Sequence, residues 1–221
     1  MKKEDPKTFD IHGLLENAYS GAVFDVLREM GMPHQALPPQ IVSLDPRKKL
    51  VGPLFTVSGR AMNISDDESI LRWCDLLSQA PKGHIVICQP NDANLAHMGE
   101  LSAETLKFRG ISGYIVDGGC RDTSYILKIG FPVFSRYSTP ADIVGKWGVE
   151  EIGQPIVIGG VKIRTSDYAI GDRDGIVIIP QAAAEECAHR VSDVMNTESR
   201  VRKAILQGID PKVAYLRFGR F

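Results

Sequence analysis

The sequence predicts an α/β fold. Two short apolar runs typical of buried strands, 84–88 and 113–117, are each followed by a polar turn and then by a helical pattern, over 99–108 and 123–129. Glycine-rich hairpins begin after residue 153, and a long helical seam lies near the end of the chain. Strands that alternate with helices indicate a central sheet covered by helices, here followed by C-terminal β hairpins and a C-terminal helix.

Caps and apolar spacing define the first elements. Ser20 is a candidate N-cap for a helix through Met30, which a glycine and a proline then end. A β-rich run over 50–61 and a helix over 69–79 follow. The residues of this second helix expected to face the core are Ile70, Trp73, Leu76 and Leu77.

The middle of the chain supplies the strands of the predicted sheet. The run 84–88 is apolar almost throughout, which is typical of a strand buried on both faces. After the helix over 123–129, which Gly130 ends, a further strand is expected over 132–137. The stretch DRDG at 172–175 predicts a hairpin, because an Asp-Gly pair tolerates positive φ angles.

The sequence shows no clean linker, so residues 13–180 are expected to form one α/β domain. Residues 1–12 are predicted to be a polar N-terminal lead, and residues 181–221 a C-terminal helical extension.

Composition excludes several classes of protein. The formal net charge is −1 over 221 residues and there is no long basic run, so we expect no nucleic-acid partner. No apolar stretch is long enough to span a membrane, and the first ten residues lack the apolar core of a signal peptide. The four cysteines are scattered without metal-ligand spacing, which favours a cytoplasmic protein with reduced thiols.

Two strand-to-helix turns carry candidate binding groups. One begins the helix at Gly99-Glu100-Leu101, and the other holds the adjacent pair Arg121-Asp122. If the preceding strands are neighbours in the sheet, both turns open at the same edge, where α/β proteins bind ligands. Free amides at a helix start bind anions, a guanidinium grips carboxylates, and carboxylates with water suit a divalent ion such as Mg²⁺. The alternative is that Asp122 is only an N-cap and Glu100 only a first-turn acid.

Three other residues leave their roles open. His97 could line the site or be structural, and Cys120 beside Arg121 could be a thiol of lowered pKa, although a catalytic thiol is the less favoured interpretation. Trp73 and Trp147 are expected in the core or at an interface.

The spacing of Glu100 from Arg121-Asp122 resembles a family signature, an acid followed by twenty residues and then Arg-Asp. It is similar to that of the 4-hydroxy-4-methyl-2-oxoglutarate aldolases, whose family includes the regulator of ribonuclease activity A (RraA). The resemblance extends over GAVFDVLREMG, GELSAETLKFRGISGYIVDGGCRD, GFPVFSR and PIVIGGVKIRTSDYAIGDRDGIVIIP, or roughly residues 18 to 180. It implies an RraA-like β/β/α sandwich of the swivelling-domain type.

The resemblance also implies roles for individual residues. Asp122 would bind Mg²⁺ or Mn²⁺ directly, and Glu100, which stands where the family often has Asp, would bind the ion through water. Arg121 would grip the carboxylate of a pyruvate-like substrate. The amides of Gly99, Glu100 and Leu101 would bind other oxygens of the same substrate.

Glu198 interrupts an otherwise apolar seam on the C-terminal helix. The other positions of this seam are Ala184, Cys187, Val191, Val194, Val201 and Ile205. A charged group on a packing stripe is costly unless it is paired or binds a ligand. Either the helix frays after Val194, or Glu198 pairs with Arg202, or, as the resemblance implies for the stretch ESRVR, Glu198 reaches the site of a neighbouring subunit and binds the metal through water. The last interpretation predicts a homotrimer or homohexamer.

The predicted function is therefore a metal-dependent (class II) aldolase. It would cleave a 4-hydroxy-2-oxo acid such as 4-hydroxy-4-methyl-2-oxoglutarate to pyruvate, with Arg121, Asp122, Glu100 and Glu198 as catalytic residues. Oxaloacetate decarboxylation passes through the same enolate and is expected as a second activity. The alternative is a non-catalytic RraA-like regulator that binds a ribonuclease or helicase.

Overall fold

Residues 10–219 are described by a computed structural model of the chain, with twelve strands, seven α-helices and one 3₁₀ turn. The strands are β1 (Val42–Ser43), β2 (Leu50–Ala61), β3 (Ile85–Gln89), β4 (Gly113–Val116), β5 (Gly119–Cys120), β6 (Val133–Ser135), β7 (Tyr137–Ser138), β8 (Trp147–Ile152), β9 (Ile156–Ile158), β10 (Val161–Ile163), β11 (Tyr168–Asp172) and β12 (Gly175–Ile179). The helices are α1 (Ile11–Glu16), α2 (Ser20–Glu29), α3 (Asp66–Gln79), α4 (Glu100–Phe108), α5 (Thr123–Ile129), α6 (Ala184–Leu206) and α7 (Pro211–Phe218), with the 3₁₀ turn at Gln181–Ala183.

The long strand β2 organises the main sheet, whose strand order is β1-β6-β4-β3-β2-β11-β12. Strands β2, β3, β4 and β6 run parallel. The other edge of β2 pairs antiparallel with β11 along its first residues and with β8 along its last residues. The switch between the two partners falls near a register shift at Ser58/Gly59, where an added Cβ on Gly59 would lie 2.1 Å from the Trp147 ring. Only a glycine therefore fits at this position of the antiparallel β2–β8 pairing.

The central strands are buried on both faces, as the apolar run 84–88 predicts. Alternate residues of β3 and β4 point to opposite faces. One set, which includes Val86 and Tyr114, packs with α3, α4 and α5. The other set, which includes Ile85 and Ile115, packs with the β9–β10 and β11–β12 hairpins.

The predicted α/β class is confirmed, with differences at element boundaries. Helices α4 and α5, strand β2 and the hairpin at 172–175 lie where the sequence predicts them. Helix α3 begins earlier than predicted, because Ser65 caps it through the Glu68 amide. Ile70, predicted to face the core, is exposed, whereas Trp73, Leu76 and Leu77 are buried. The expected strand over 132–137 divides into β6 and β7, and β8 was not predicted.

Ser20 does not cap α2, which corrects the sequence prediction. The N-cap residue is Tyr19, and Ser20 is the first helical residue. The Ser20 backbone N–H and hydroxyl each donate to the Asp172 carboxylate at 2.7 Å. The cap is therefore supplied by the β11–β12 turn, which fastens α2 to the sheet.

The C-terminal helix packs closely on the rest of the chain. Ala184, Cys187 and Val191 are fully buried in one cluster with apolar residues of α1, α2, β11 and β12. Of the predicted polar lead, residues 1–9 lie outside the described part, and α1 begins at Ile11. Within residues 10–219, no helix is both long enough and apolar enough to cross a membrane.

The cap from Asp172 predicts a measurable contribution to stability. Asp172→Ala should lower the free energy of unfolding by about 1–3 kcal/mol, because the two Ser20 donors and the Asp174 backbone N–H lose a charged acceptor. Urea denaturation would measure the change, with Asp174→Ala in the same turn as control. Equal stabilities of the two variants would contradict the assignment.

Candidate active site at the carboxyl edge of the sheet

The two predicted turns lie at one edge of the sheet. Strands β3 and β4 are parallel neighbours, with Ile85 opposite Gly113 and Cys88 opposite Val116. The chain leaves β3 toward α4 and leaves β4 toward α5, so both helix starts lie beyond the carboxyl ends of these strands. The neighbour relation on which the sequence prediction rests is therefore confirmed.

Asp122 connects the two turns. It occupies the N-cap position of α5 in a left-handed conformation (φ 54°, ψ 34°), but its side chain makes no capping bond to α5. Instead, its Oδ2 accepts the backbone N–H of Glu100 at 3.0 Å. Asp122 thus caps the neighbouring helix α4, and its placement is more than that of an ordinary N-cap.

Gly99 makes this contact possible. Its backbone is extended (φ −144°, ψ −175°), a conformation open to any residue. The space is the constraint, because an added Cβ would lie 2.8 Å from Asp122 Oδ2 and 3.2 Å from Arg121 Nε. A side chain at residue 99 would displace the Arg121-Asp122 pair.

The start of α4 offers fewer free amides than the sequence predicts. Asp122 already engages the Glu100 N–H. The first N–H groups of a helix have no intrahelical acceptor. The amides of Gly99 and Leu101 therefore remain as candidates for ligand oxygens, and the side chains of Glu100 and Leu101 are exposed.

Arg121 lies between two carboxylates. Its Nη1 donates to Asp142 Oδ2 at 3.2 Å, and its Nε is 3.6 Å from Asp122 Oδ2. Its own backbone N–H donates to the Met98 carbonyl, which ties the second turn to the loop before α4. All three side chains are a little more than one-third exposed.

Arg121 and Asp122 border a cavity of about 320 Å³. Its lining residues are Arg121, Asp122, Thr123, Ser138, Thr139 and Pro140. Sequence reasoning missed the segment that begins at the last residue of β7, which supplies the last three of these residues and, just beyond them, Asp142. The only sequence signal is a short polar stretch, STPAD at 138–142, after an apolar strand.

Glu198 lies elsewhere in the chain. The helix does not fray at Val194 but continues to Leu206, and Glu198 accepts a hydrogen bond from the Tyr19 hydroxyl at 2.5 Å. Burial, and then this bond to the carboxylate, raise the pKa of Tyr19 to about 12, so the phenol stays protonated. A second cavity of about 340 Å³ adjoins the pair, and its lining residues are Tyr19, Glu198, Val201, Arg202, Ile205 and Leu206. The two cavities share no lining residue.

The residues fit a divalent ion that has few protein ligands. Within residues 10–219, no three His, Cys, Asp or Glu side chains form a group that could hold a metal ion. Mg²⁺ often binds through one or two carboxylates and keeps several waters. Asp122, with one carboxylate oxygen engaged by Glu100, fits this requirement, and Glu100 is the nearest further acid along α4.

His97 and Cys120 are both buried. The His97 ring is buried and lies edge-on to Trp147, with ring centroids 5.0 Å apart, and burial lowers its pKa to about 4. The Cys120 thiol is buried, and burial, followed by the charge of Asp122, raises its pKa to about 12. The lowered pKa considered for the Cys120 thiol is therefore wrong. Trp73 and Trp147 lie in the core, one of the two locations expected for them.

Known proteins match the chain over most of its length. A family model described as RraA-like, Aldolase/RraA, matches residues 20–178. A protein of Halalkalibacterium halodurans, provisionally named 4-hydroxy-4-methyl-2-oxoglutarate aldolase, is 31% identical over 176 residues, which cover 80% of this chain and 81% of that protein.

Solved structures share the fold. An uncharacterized protein of Pseudomonas syringae superposes with a TM-score of 0.86 at 24% identity, covering 98% of each chain. RraAS2 of Streptomyces coelicolor, described as an unusual member of the RNase ES inhibitor RraA protein family, has a TM-score of 0.79 at 24% identity, covering 90% of this chain and 99% of that one. The RraA-like fold predicted from the sequence is confirmed.

The contact between Gly99 and Asp122 predicts the effect of a single methyl group. Gly99→Ala should push the Asp122 carboxylate away from the Glu100 amide, and hydrogen exchange of that amide should become faster. NMR exchange measurements would follow the amide. Gly21→Ala is the control, because its added Cβ would approach only Tyr19, at 3.4 Å. Unchanged protection of the Glu100 amide in Gly99→Ala would contradict the steric argument.

Proposed function

The chain belongs to the RraA-like family, and from that membership we propose that it is a divalent-metal-dependent aldolase. The proposed substrate is a 4-hydroxy-2-oxo acid such as 4-hydroxy-4-methyl-2-oxoglutarate, which would be cleaved to pyruvate. The observation that carries the proposal is the placement of Arg121 and Asp122 at one cavity, with Asp122 bonded to the first amide of α4. A cation-binding group and an anion-binding group then lie within reach of one small ligand.

The local charge supports a metal ion. Asp122 and Asp142 together carry two negative charges against the one positive charge of Arg121, so the group is negative overall. An anionic substrate alone would be repelled by about 1–4 kcal/mol for each unit charge at 4 Å. A divalent cation at Asp122 reverses the sign, which makes carboxylate binding beside Arg121 favourable.

Each residue then has a distinct task. Arg121 binds the C1 carboxylate of the substrate, and the amides of Gly99 and Leu101 bind neighbouring oxygens. Asp122 would hold Mg²⁺ or Mn²⁺ directly, and when bound the ion supplies Lewis-acid stabilisation of enolate charge. Glu100 and Glu198 orient a water that accepts the C4 hydroxyl proton. The C3–C4 bond then breaks to give pyruvate enolate and a second carbonyl product, and return of a proton from the water to C3 of the enolate gives pyruvate. Oxaloacetate decarboxylation would yield the same enolate.

Glu198 must come from another copy of the chain in this scheme. Within one chain it lines a different cavity from Arg121 and Asp122. The proposal therefore includes a ring-like homo-oligomer, a trimer or hexamer, with sites between subunits.

The alternative is a non-catalytic regulator, since the family also includes RraA proteins. Such a protein would bind a ribonuclease or helicase through its surface. It would not require a glycine that keeps space beside Asp122, nor a carboxylate that links two helix starts. These features favour the enzyme.

Removal of the metal tests the proposed activity directly. Wild-type protein should release pyruvate from 4-hydroxy-4-methyl-2-oxoglutarate in an assay coupled to lactate dehydrogenase, lose this activity in EDTA and regain it with Mg²⁺. Asp122→Ala should remain folded but lose Mn²⁺ binding and at least about 100-fold in turnover. Asp75→Ala, an exposed change on α3, is the matched control. Full turnover after EDTA treatment would exclude a metal-dependent aldolase.

Subunit exchange tests the role of Glu198. Asp122→Ala and Glu198→Ala should each be inactive, but an equal mixture should regain activity at roughly a quarter of the sites, because a site can take Asp122 from one chain and Glu198 from its neighbour. Tyr19→Phe, which removes only the hydroxyl that binds Glu198, is a milder control. No recovery after demonstrated exchange, or a fully active monomer, would refute the shared site.

A further inference from the structure

Arg121 is held at two points before any ligand binds. A guanidinium carries five N–H donors in a planar fork. Asp142 receives one of them through Nη1 at 3.2 Å, and the Nε of Arg121 lies 3.6 Å from Asp122. Among the described residues, Nη2 has no hydrogen-bond acceptor. Arg121 also lines the cavity, so donors that Asp142 and Asp122 leave free are available to a ligand bound there.

Asp142 is itself fixed by its own turn. Its Oδ1 accepts the Val144 N–H at 3.3 Å, which leaves Oδ2 to face Arg121. The preceding residue is anchored as well, because the Ala141 carbonyl accepts the Ala96 N–H at 2.7 Å. The following residue, Ile143, is buried and its carbonyl accepts the buried Ser69 hydroxyl. Asp142 thus projects from a segment bonded on both sides to other elements.

A contribution to folding stability does not explain the Arg121–Asp142 ion pair well. Both side chains are more than one-third exposed, and ion pairs of that exposure contribute little to folding. An arginine that binds a ligand, however, loses much rotamer freedom on binding. A partner that already holds the guanidinium removes part of that loss in the free protein, so the ligand binds more tightly.

We propose that Asp142 is a positioning residue that aims the Arg121 guanidinium at the substrate carboxylate. This inference rests on the proposed function, in which Arg121 binds that carboxylate. Asp142 itself contacts Arg121 and does not line the cavity. Its removal should therefore weaken carboxylate binding more than it slows bond cleavage.

The test combines direct binding with a double-mutant cycle. Pyruvate is the probe, titrated into Mn²⁺-loaded protein by calorimetry, and the steady-state kinetics of cleavage are measured in parallel. Asp142→Ala should raise the Kd for pyruvate and the KM about tenfold while kcat falls less than about threefold. Asp142→Asn keeps an acceptor for Nη1 and should recover most of the loss. Asp75→Asn is the matched control on an exposed helix face.

Coupling to Arg121 separates positioning from a structural effect. In an Arg121→Lys background, which lacks the planar fork, Asp142→Ala should change the pyruvate Kd less than about twofold. An equal loss in both backgrounds, or an unchanged or lower Kd in Asp142→Ala alone, would overturn the inference, as would wild-type protein that does not bind pyruvate. Wild-type protein that binds pyruvate but cleaves no 4-hydroxy-2-oxo acid would instead contradict the proposed function, while the Arg121–Asp142 coupling remained measurable.

Discussion

The parallel register of β3 and β4 aligns the ends of two strands that each lead into a helix. Parallel pairing requires a crossover between the strands, and α4 provides it. The start of β4 is closely packed, since an added Cβ on Gly113 would lie 2.5 Å from the Leu50 side chain and 3.0 Å from the Pro132 carbonyl oxygen. The same register sets the carboxyl ends of both strands at one edge. The core and the site therefore depend on a single pairing, and a slip of this register would disturb both.

The site at this edge places one guanidinium between two carboxylates. Asp122 caps α4, and it also stands beside Arg121, which Asp142 holds from the other side. Each interaction is half-exposed and weak by itself. Together they fix a guanidinium and a carboxylate in neighbouring positions around a small cavity. Their excess negative charge favours the binding of a cation. The bound cation would in turn make the electrostatic interaction with an anionic ligand favourable.

The C-terminal helix links the core to a second polar position. Its first turns are buried against α1, α2 and the β11–β12 hairpin, whereas its later turns expose more of their surface. Glu198 lies on this second part, next to Tyr19, the residue that precedes α2. Glu198 is thus held between an early segment of the described chain, through Tyr19, and the late helix α6 on which it lies. Because its cavity lies apart from Arg121 and Asp122, its proposed role requires a neighbouring copy.

Local sequence patterns determined much of this protein. Apolar runs, glycine stops and an Asp-Gly hairpin predicted β2, β3, α4, α5 and the β11–β12 hairpin, because these elements depend on neighbours a few residues away. The two strand-to-helix turns, with Gly99 and Arg121-Asp122, were predicted for the same reason.

Only the tertiary structure decided which distant groups meet. Asp172, and not Ser20, caps α2. Asp122 accepts a hydrogen bond from the first backbone N–H of α4. Asp142 accepts a hydrogen bond from Arg121, which lies 21 residues before it in the sequence. The strand β8 was also missed, since it is defined by its antiparallel pairing with β2 around Gly59. Such contacts are set by chain folding through space, and sequence spacing carries no record of the distances that result.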